Sequence, residues 1–279
     1  MIIFISGCGI NQEEQLYSKD EAERKFVQIC RDEYDWNVNT KYIGNTLWIY
    51  LPYEQDIFKF KANPFPQRSK FAVAYLSGDF AEEKFYFEYH IVPLLKSEED
   101  RGYTSSFTQQ VAEDFQHLLN VIYRVYFNAE GEPEFYIVVM ADIVNGMEVV
   151  YTIYNQDLKK IYNNAVAPEE CCKRILQDTE GNSTIIQDKT GRHLTYQEIN
   201  FGQFLARQIV QRIRYRFPSE GSQSRETTEE GIQDEILKII FYCLRTYEFK
   251  DFLSVILKDL STGAKINLTP SALEKLKEF

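Results

Sequence analysis

Three histidines, five cysteines and several adjacent acid pairs are the residues of this 279-residue chain whose chemistry could support an activity. His90, His117 and His193 stand in no recognised catalytic pattern. Glu113 and His117 are four apart, so they share a helix face, but a zinc site of the H-E-x-x-H type needs a second histidine at that spacing. Neither a G-K-[ST] phosphate cradle nor a G-x-S-x-G nucleophile elbow occurs, and Gly7-Cys8-Gly9 lacks the third glycine of a dinucleotide loop. Cys30, Cys171, Cys172 and Cys243 show no C-x-x-C or other ligand spacing. No catalytic residue, metal or cofactor is therefore expected. Acid pairs such as Glu169-Glu170 and Glu229-Glu230 precede apolar periodicity, where carboxylates favour a helix N-terminus through its dipole.

One basic feature stands out. Arg207, Arg212, Arg214 and Arg216 fall within ten residues of an otherwise acidic chain, and guanidinium groups suit phosphate or carboxylate ligands. At about 100° per residue Arg207 and Arg214 share a helix face, with Arg212 and Arg216 roughly opposite. Arg207 and Arg214 are the candidate ligand-binding pair, set against ion pairing with the surplus acids. The formal net charge of −11 repels phosphate backbones, so no nucleic acid is expected as a partner. A chain of this length can bury a sizeable core without disulfides or metal. Its 19 tyrosines and 20 phenylalanines favour half-buried strands.

No run of 18 or more apolar residues exists that could span a bilayer as a helix. The chain opens Met1-Ile2-Ile3-Phe4-Ile5-Ser6-Gly7-Cys8-Gly9, apolar up to two small residues and a cysteine, and turns polar at Asn11-Gln12-Glu13-Glu14. Ile5-Ser6-Gly7-Cys8 resembles a bacterial lipobox. The resemblance implies that Cys8 receives a diacylglyceryl group and becomes the first residue of the mature protein. Two or more acyl chains hold a soluble domain firmly, at about 0.8 kcal/mol per buried methylene. Gly9 stands where enterobacterial lipoproteins retained at the inner membrane carry aspartate, which slightly favours the outer membrane. The partner implied is thus a membrane, through the lipid, with an envelope protein, a glycan or a small ligand bound by the folded part. Read alone, Ile2 to Ile5 also suit a short buried strand of a cytoplasmic protein. An enzyme of unrecognised type, hydrolase-like, is the competing class, and it would gather a histidine, a carboxylate and a nucleophile in one pocket.

The elements that must position these residues read as α+β: antiparallel sheets each covered by helices, with a helix-then-hairpin order near 19–51, 107–154 and 229–268. The capping box Ser18-Lys19-Asp20-Glu21 opens a helix to about Tyr34. Strands follow at 38–43 and 46–51, with Trp48 and Tyr50 on the face of Thr46, and again at 70–77 and 84–92. Phe107, Val111, Phe115, Leu118 and Ile122 recur at helical spacing. Strands are expected at 122–127, 134–143 and 148–154, with Asn145-Gly146 as a hairpin turn, and short helices at 156–163 and 168–176. A second capping box, Thr195-Tyr196-Gln197-Glu198, points to a helix from Thr195 to Phe217. Another helix covers 229–247, and strands at 252–259 and 264–268 precede a terminal helix at Pro270. The charged, apolar-free stretch 97–102 suggests a division into a signal remnant and tether (1–17), a lobe at 18–96 and a lobe at 103–279.

Overall fold

Ser18 opens the first helix through local chemistry: its backbone N–H, at 3.0 Å, and its hydroxyl, at 2.6 Å, both donate to the Glu21 carboxylate. The computed structural model describes residues 17–62, 71–93, 103–127, 129–217 and 229–275. Within them the chain is α+β, and it separates into two units that are interleaved in sequence: 1–61 with 103–199, and 62–102 with 200–279. That division differs from the sequential one suggested by the charged stretch 97–102. The chain leaves the first unit and returns to it before it completes the second. Residues 1–16, with Cys8 among them, lie outside the described residues, as do 94–102.

The first unit is built on a five-stranded sheet of order β1-β2-β7-β8-β9: β1 (Asn39–Ile43), β2 (Thr46–Tyr53), β7 (Phe135–Asp142), β8 (Met147–Tyr154) and β9 (Leu176–Gly181). Two strands stand apart from it and pair with each other, β3 (Phe58–Ala62) and β6 (Tyr103–Phe107). Helices α1 (Lys19–Tyr34) and α2 (Gln109–Tyr126) pack on one face of the large sheet. Phe26, Phe115, Leu118 and Ile122 from the helices meet Leu47, Ile49, Leu51, Val138, Met140 and Tyr151 from the strands. Each such side chain contributes about 1.5–3 kcal/mol on burial. Two shorter helices, α3 (Asn155–Tyr162) and α4 (Pro168–Arg174), extend that core through Leu158, Ile161 and Cys171.

The second unit carries a sheet of order β11-β10-β5-β4, from β4 (Phe71–Ala81), β5 (Lys84–Pro93), β10 (Ser254–Asp259) and β11 (Lys265–Leu268). With it go α5 (Phe201–Arg216), α6 (Glu229–Thr246) and α7 (Pro270–Glu274). Gly202 lets α5 sit close to the sheet, because a Cβ there would fall 2.1 Å from the Phe80 ring.

Three expectations are corrected. The sheets are mixed, since β2 pairs parallel with β7 and β5 parallel with β10. Every residue of β7 is buried and all but one of β2, which is how strands covered on both faces behave. The helix-then-hairpin order does occur as α1-β1-β2, α2-β7-β8 and α6-β10-β11, and the parallel β2–β7 pair fuses the first two hairpins into one sheet. Residues 122–126 are the last turns of α2, because Ile122, Val125 and Tyr126 continue its buried stripe. Thr195 does not start a helix either. Glu198 instead accepts the backbone N–H of Asn45 at 2.9 Å, and α5 begins after Asn200, whose side chain accepts the Gln203 N–H at 2.8 Å.

Candidate functional site

The face of the large sheet opposite α1 and α2 is covered by irregular chain. Thr46, Trp48 and Tyr50 project from β2 onto that face, and each is hydrogen-bonded to the segment 188–199. Tyr50 donates to the Asp188 carbonyl (2.6 Å), Trp48 Nε1 donates to the Gln197 carbonyl (3.0 Å), and Thr46 Oγ1 accepts the Ile199 N–H (3.1 Å). These bonds satisfy backbone that no helix or strand satisfies, and they tie the segment to the sheet although it lacks regular structure. Gly191 takes a left-handed φ of +73° within it, and the Tyr196 hydroxyl donates to the Gly191 carbonyl at 3.0 Å.

His193 is the centre of this segment. Its Nδ1 lies 2.8 Å from Asp188 Oδ2 and its Nε2 lies 2.9 Å from Glu148 Oε2 on β8. All three side chains are more than nine-tenths buried. With both carboxylates ionised, the ring can meet them only by donating from both nitrogens, which is the imidazolium form. Burial opposes that charge, but the bonds to Asp188 and Glu148 outweigh it and hold His193 above its ordinary 6.5. Burial likewise lifts Glu148 above 4.5, with partial relief from His193. Burial would lift Asp188 too. The His193 ring and the N–H groups of Thr190 and His193 prevail and hold it well below the usual carboxylate range.

The sign of the linked stability follows. A histidine raised in the folded state stabilises fully below 6.5, and that contribution is lost as pH rises through its folded value. Raised Glu148 acts in the same direction from 4.5 upward, whereas depressed Asp188 loses its contribution as pH falls below 3.8. The contribution of this cluster to stability in urea is expected to be greatest between 3.8 and 4.5, to fall above 4.5 as Glu148 titrates and to fall again above 6.5 as His193 does. The decline should flatten in His193→Gln, and a wild-type profile that is level above 6.5 would contradict the assignment.

This cluster is not a nucleophilic triad. Both ring nitrogens face carboxylates, and the nearby Thr190 hydroxyl bonds Asp188 rather than the ring. It holds the segment in place, and Lys189, next to Asp188, is delivered to the rim of a cleft.

That cleft, of about 540 Å³, is lined by Trp36, Tyr53, Glu54, Gln110, Asp114 and Lys189 among others. Its volume is that of a small-molecule site. Trp36 follows the left-handed cap of α1 at Asp35 (φ 57°) and stacks on Tyr34, with ring centroids 4.5 Å apart. Lys189 forms an ion pair with Glu54 at the rim. Asp114 projects from α2 and is only 4% exposed. Its Oδ2 accepts from the Tyr53 hydroxyl at 3.0 Å and its Oδ1 from Gln110 Nε2 at 2.7 Å.

Arg207 and Arg214, the arginine pair read from the sequence, lie on α5 in the second unit, the former half-buried and the latter exposed. Neither lines the cleft. Arg212 is buried beside the Tyr242 ring, and Arg216 Nε donates to Glu235 at 3.2 Å. Among the described residues no group of three or more histidine, cysteine or acidic side chains could hold a metal ion. Set against protein-family models, curated proteins and solved structures, the chain matches none.

Sequence reasoning passed over Asp114, Glu148 and the role of His193. Two of the three carried a signal. Asp114 occupies the i+3 place of the stripe that runs through Val111, Phe115 and Leu118, and Glu148 alternates with Val150 and Thr152 along an apolar strand. A carboxylate in a core phase needs a partner, and that requirement is readable from the pattern.

Proposed function

We propose that this chain is a lipid-tethered cell-envelope protein with a binding role, attached through Cys8 and taking a small polar ligand in the cleft between α1, α2 and β2. The observation that carries the binding half is the cleft itself, which combines an aromatic wall at Trp36 with a buried carboxylate and several amide side chains. Apolar and ring surface with a few fixed polar groups is what small-molecule sites share. The tether half is supported by the residues Ile5-Ser6-Gly7-Cys8. It also fits the finding that no described helix is long and apolar enough to cross a membrane. Gly9 favours the outer membrane over the inner. The folded units then work at a membrane surface without entering it.

Trp36 and Trp48 are the two tryptophans, and Trp48 is buried with its indole N–H bonded, so emission that responds to solutes reports on Trp36. A panel of sugars, amino acids and polyamines is expected to contain probes that change this emission saturably, and the response is expected to vanish in Trp36→Phe. A panel without a saturating member, or a response that persists in Trp36→Phe, would reject the cleft as the binding site.

A further inference from the structure

Asp114 lacks a counter-charge. A buried carboxylate is ordinarily matched by a cation, because desolvation penalises the ionised form severely. Here the two partners, Tyr53 and Gln110, are neutral donors. Among the described residues no lysine, arginine or histidine pairs with Asp114, and Lys189, the cation of the cleft wall, is engaged by Glu54. Each Asp114 oxygen accepts a single bond and so keeps a further lone pair for a donor. The half-buried Trp36 ring adds a surface that attracts cations.

We propose that the cleft takes its ligand by a protonated primary amine, seated against the Asp114 carboxylate beside the Trp36 ring. The inference rests on the cleft being the binding site and adds the chemistry of the group it recognises. A primary ammonium fits better than a quaternary one, since three N–H donors can meet the open lone pairs of Asp114 and the carbonyl of a neighbouring amide, and a methylated cation offers none. A metal ion fits less well, given that the described residues assemble no ligand set for one. Amino sugars, polyamines and peptide N-termini all present the required group.

The test compares amines with neutral counterparts of the same shape: 1,4-diaminobutane with 1,4-butanediol, and glucosamine with glucose, each titrated into the purified chain and followed by Trp36 emission and calorimetry. The amines are expected to bind at least about thirtyfold more tightly, as for a buried charge pair worth about 2 kcal/mol or more. Asp114→Asn should remove that preference while leaving the melting temperature unchanged or higher, because the variant keeps the shape and sheds an unmatched charge. Equal binding of amine and neutral probe in the wild type would overturn the charge recognition and leave the cleft standing as a site. The absence of saturable binding by all four probes would overturn both. A sharp fall in the melting temperature of Asp114→Asn would make the carboxylate structural and also overturn the proposal, and the wild-type comparison needs no variant at all.

Discussion

His193→Ala is expected to destabilise the first unit by about 3–5 kcal/mol, the scale on which a buried charge left without its partner acts. The substitution strands two carboxylates, Asp188 and Glu148, whose side chains are 8% and 5% exposed. Asp188 retains the backbone N–H groups of Thr190 and Gly191, at 2.9 and 3.1 Å, so the heavier penalty falls on Glu148, the second residue of β8. Adding Glu148→Gln to the alanine variant should restore a large part of the loss by removing that charge. Both tryptophans belong to the first unit, so urea denaturation followed by their emission isolates it from the second. The same variant should weaken binding in the cleft. Lys189 reaches the rim on a segment that the His193 contacts to Asp188 and Glu148 help to fix. A loss below 1 kcal/mol would show that water or relaxation reaches these carboxylates and that the cluster does not hold the segment.

Arg174→Met carries the second large effect, again about 3–5 kcal/mol. Arg174 ties α4 to α3: Nη1 donates to Asp157 Oδ1 at 2.6 Å, and Nε lies 3.3 Å from Glu170 Oε1 one turn earlier. The Asp157 side chain is 1% exposed, so its carboxylate has no water to turn to once the guanidinium is gone. Methionine keeps most of the volume, which separates lost charge pairing from lost packing. Combining Arg174→Met with Asp157→Leu should recover most of the stability, because replacing both members of a buried ion pair by apolar side chains is frequently neutral. If the double variant is as unstable as the single one, packing rather than charge sets the contribution of Arg174.

Much of the fold could be read locally. The Ser18 box, the α2 stripe and the Asn145-Gly146 turn are chemistry within a few residues. Gly146 adopts φ +70°, and Asp142 stabilises the turn by accepting the N–H groups of Val144 and Asn145 at 3.0 and 2.8 Å. Trp48 and Tyr50 lie on the face of Thr46 because alternation along a strand is fixed by its pleat. The failures occur where local and tertiary preferences diverge. Thr195-Tyr196-Gln197-Glu198 matches a helix start, but Glu198 is taken by Asn45 and the Gln197 carbonyl by Trp48, both about 150 residues away. Residues 122–127 are apolar enough for a strand, and only their continuation of the α2 stripe decides the matter. The parallel pairs β2–β7 and β5–β10 join strands separated by long crossovers, for which no short-range pattern exists.

The candidate site was less legible than the fold. His193 and Glu148 are 45 residues apart, and Asp114 and Tyr53 are 61 apart. What the sequence offered was two acids placed in core phase, and a search for metal or catalytic spacing does not register them. The arginines of α5 drew attention because they are close in sequence, although Arg212 turns inward and Arg216 bonds across to α6. Proximity along the chain was a poorer guide than a charge in an apolar row.

Attachment through lipid is the claim on which the biological reading depends, and the intact mass of the mature chain purified from membranes of its native host tests it directly. The account predicts a polypeptide that begins at Cys8 and carries diacylglyceryl and fatty-acyl groups, and predicts that Cys8→Ser moves the protein from the membrane fraction to the soluble one. An unmodified chain that retains Met1 and an unacylated Cys8 would contradict it.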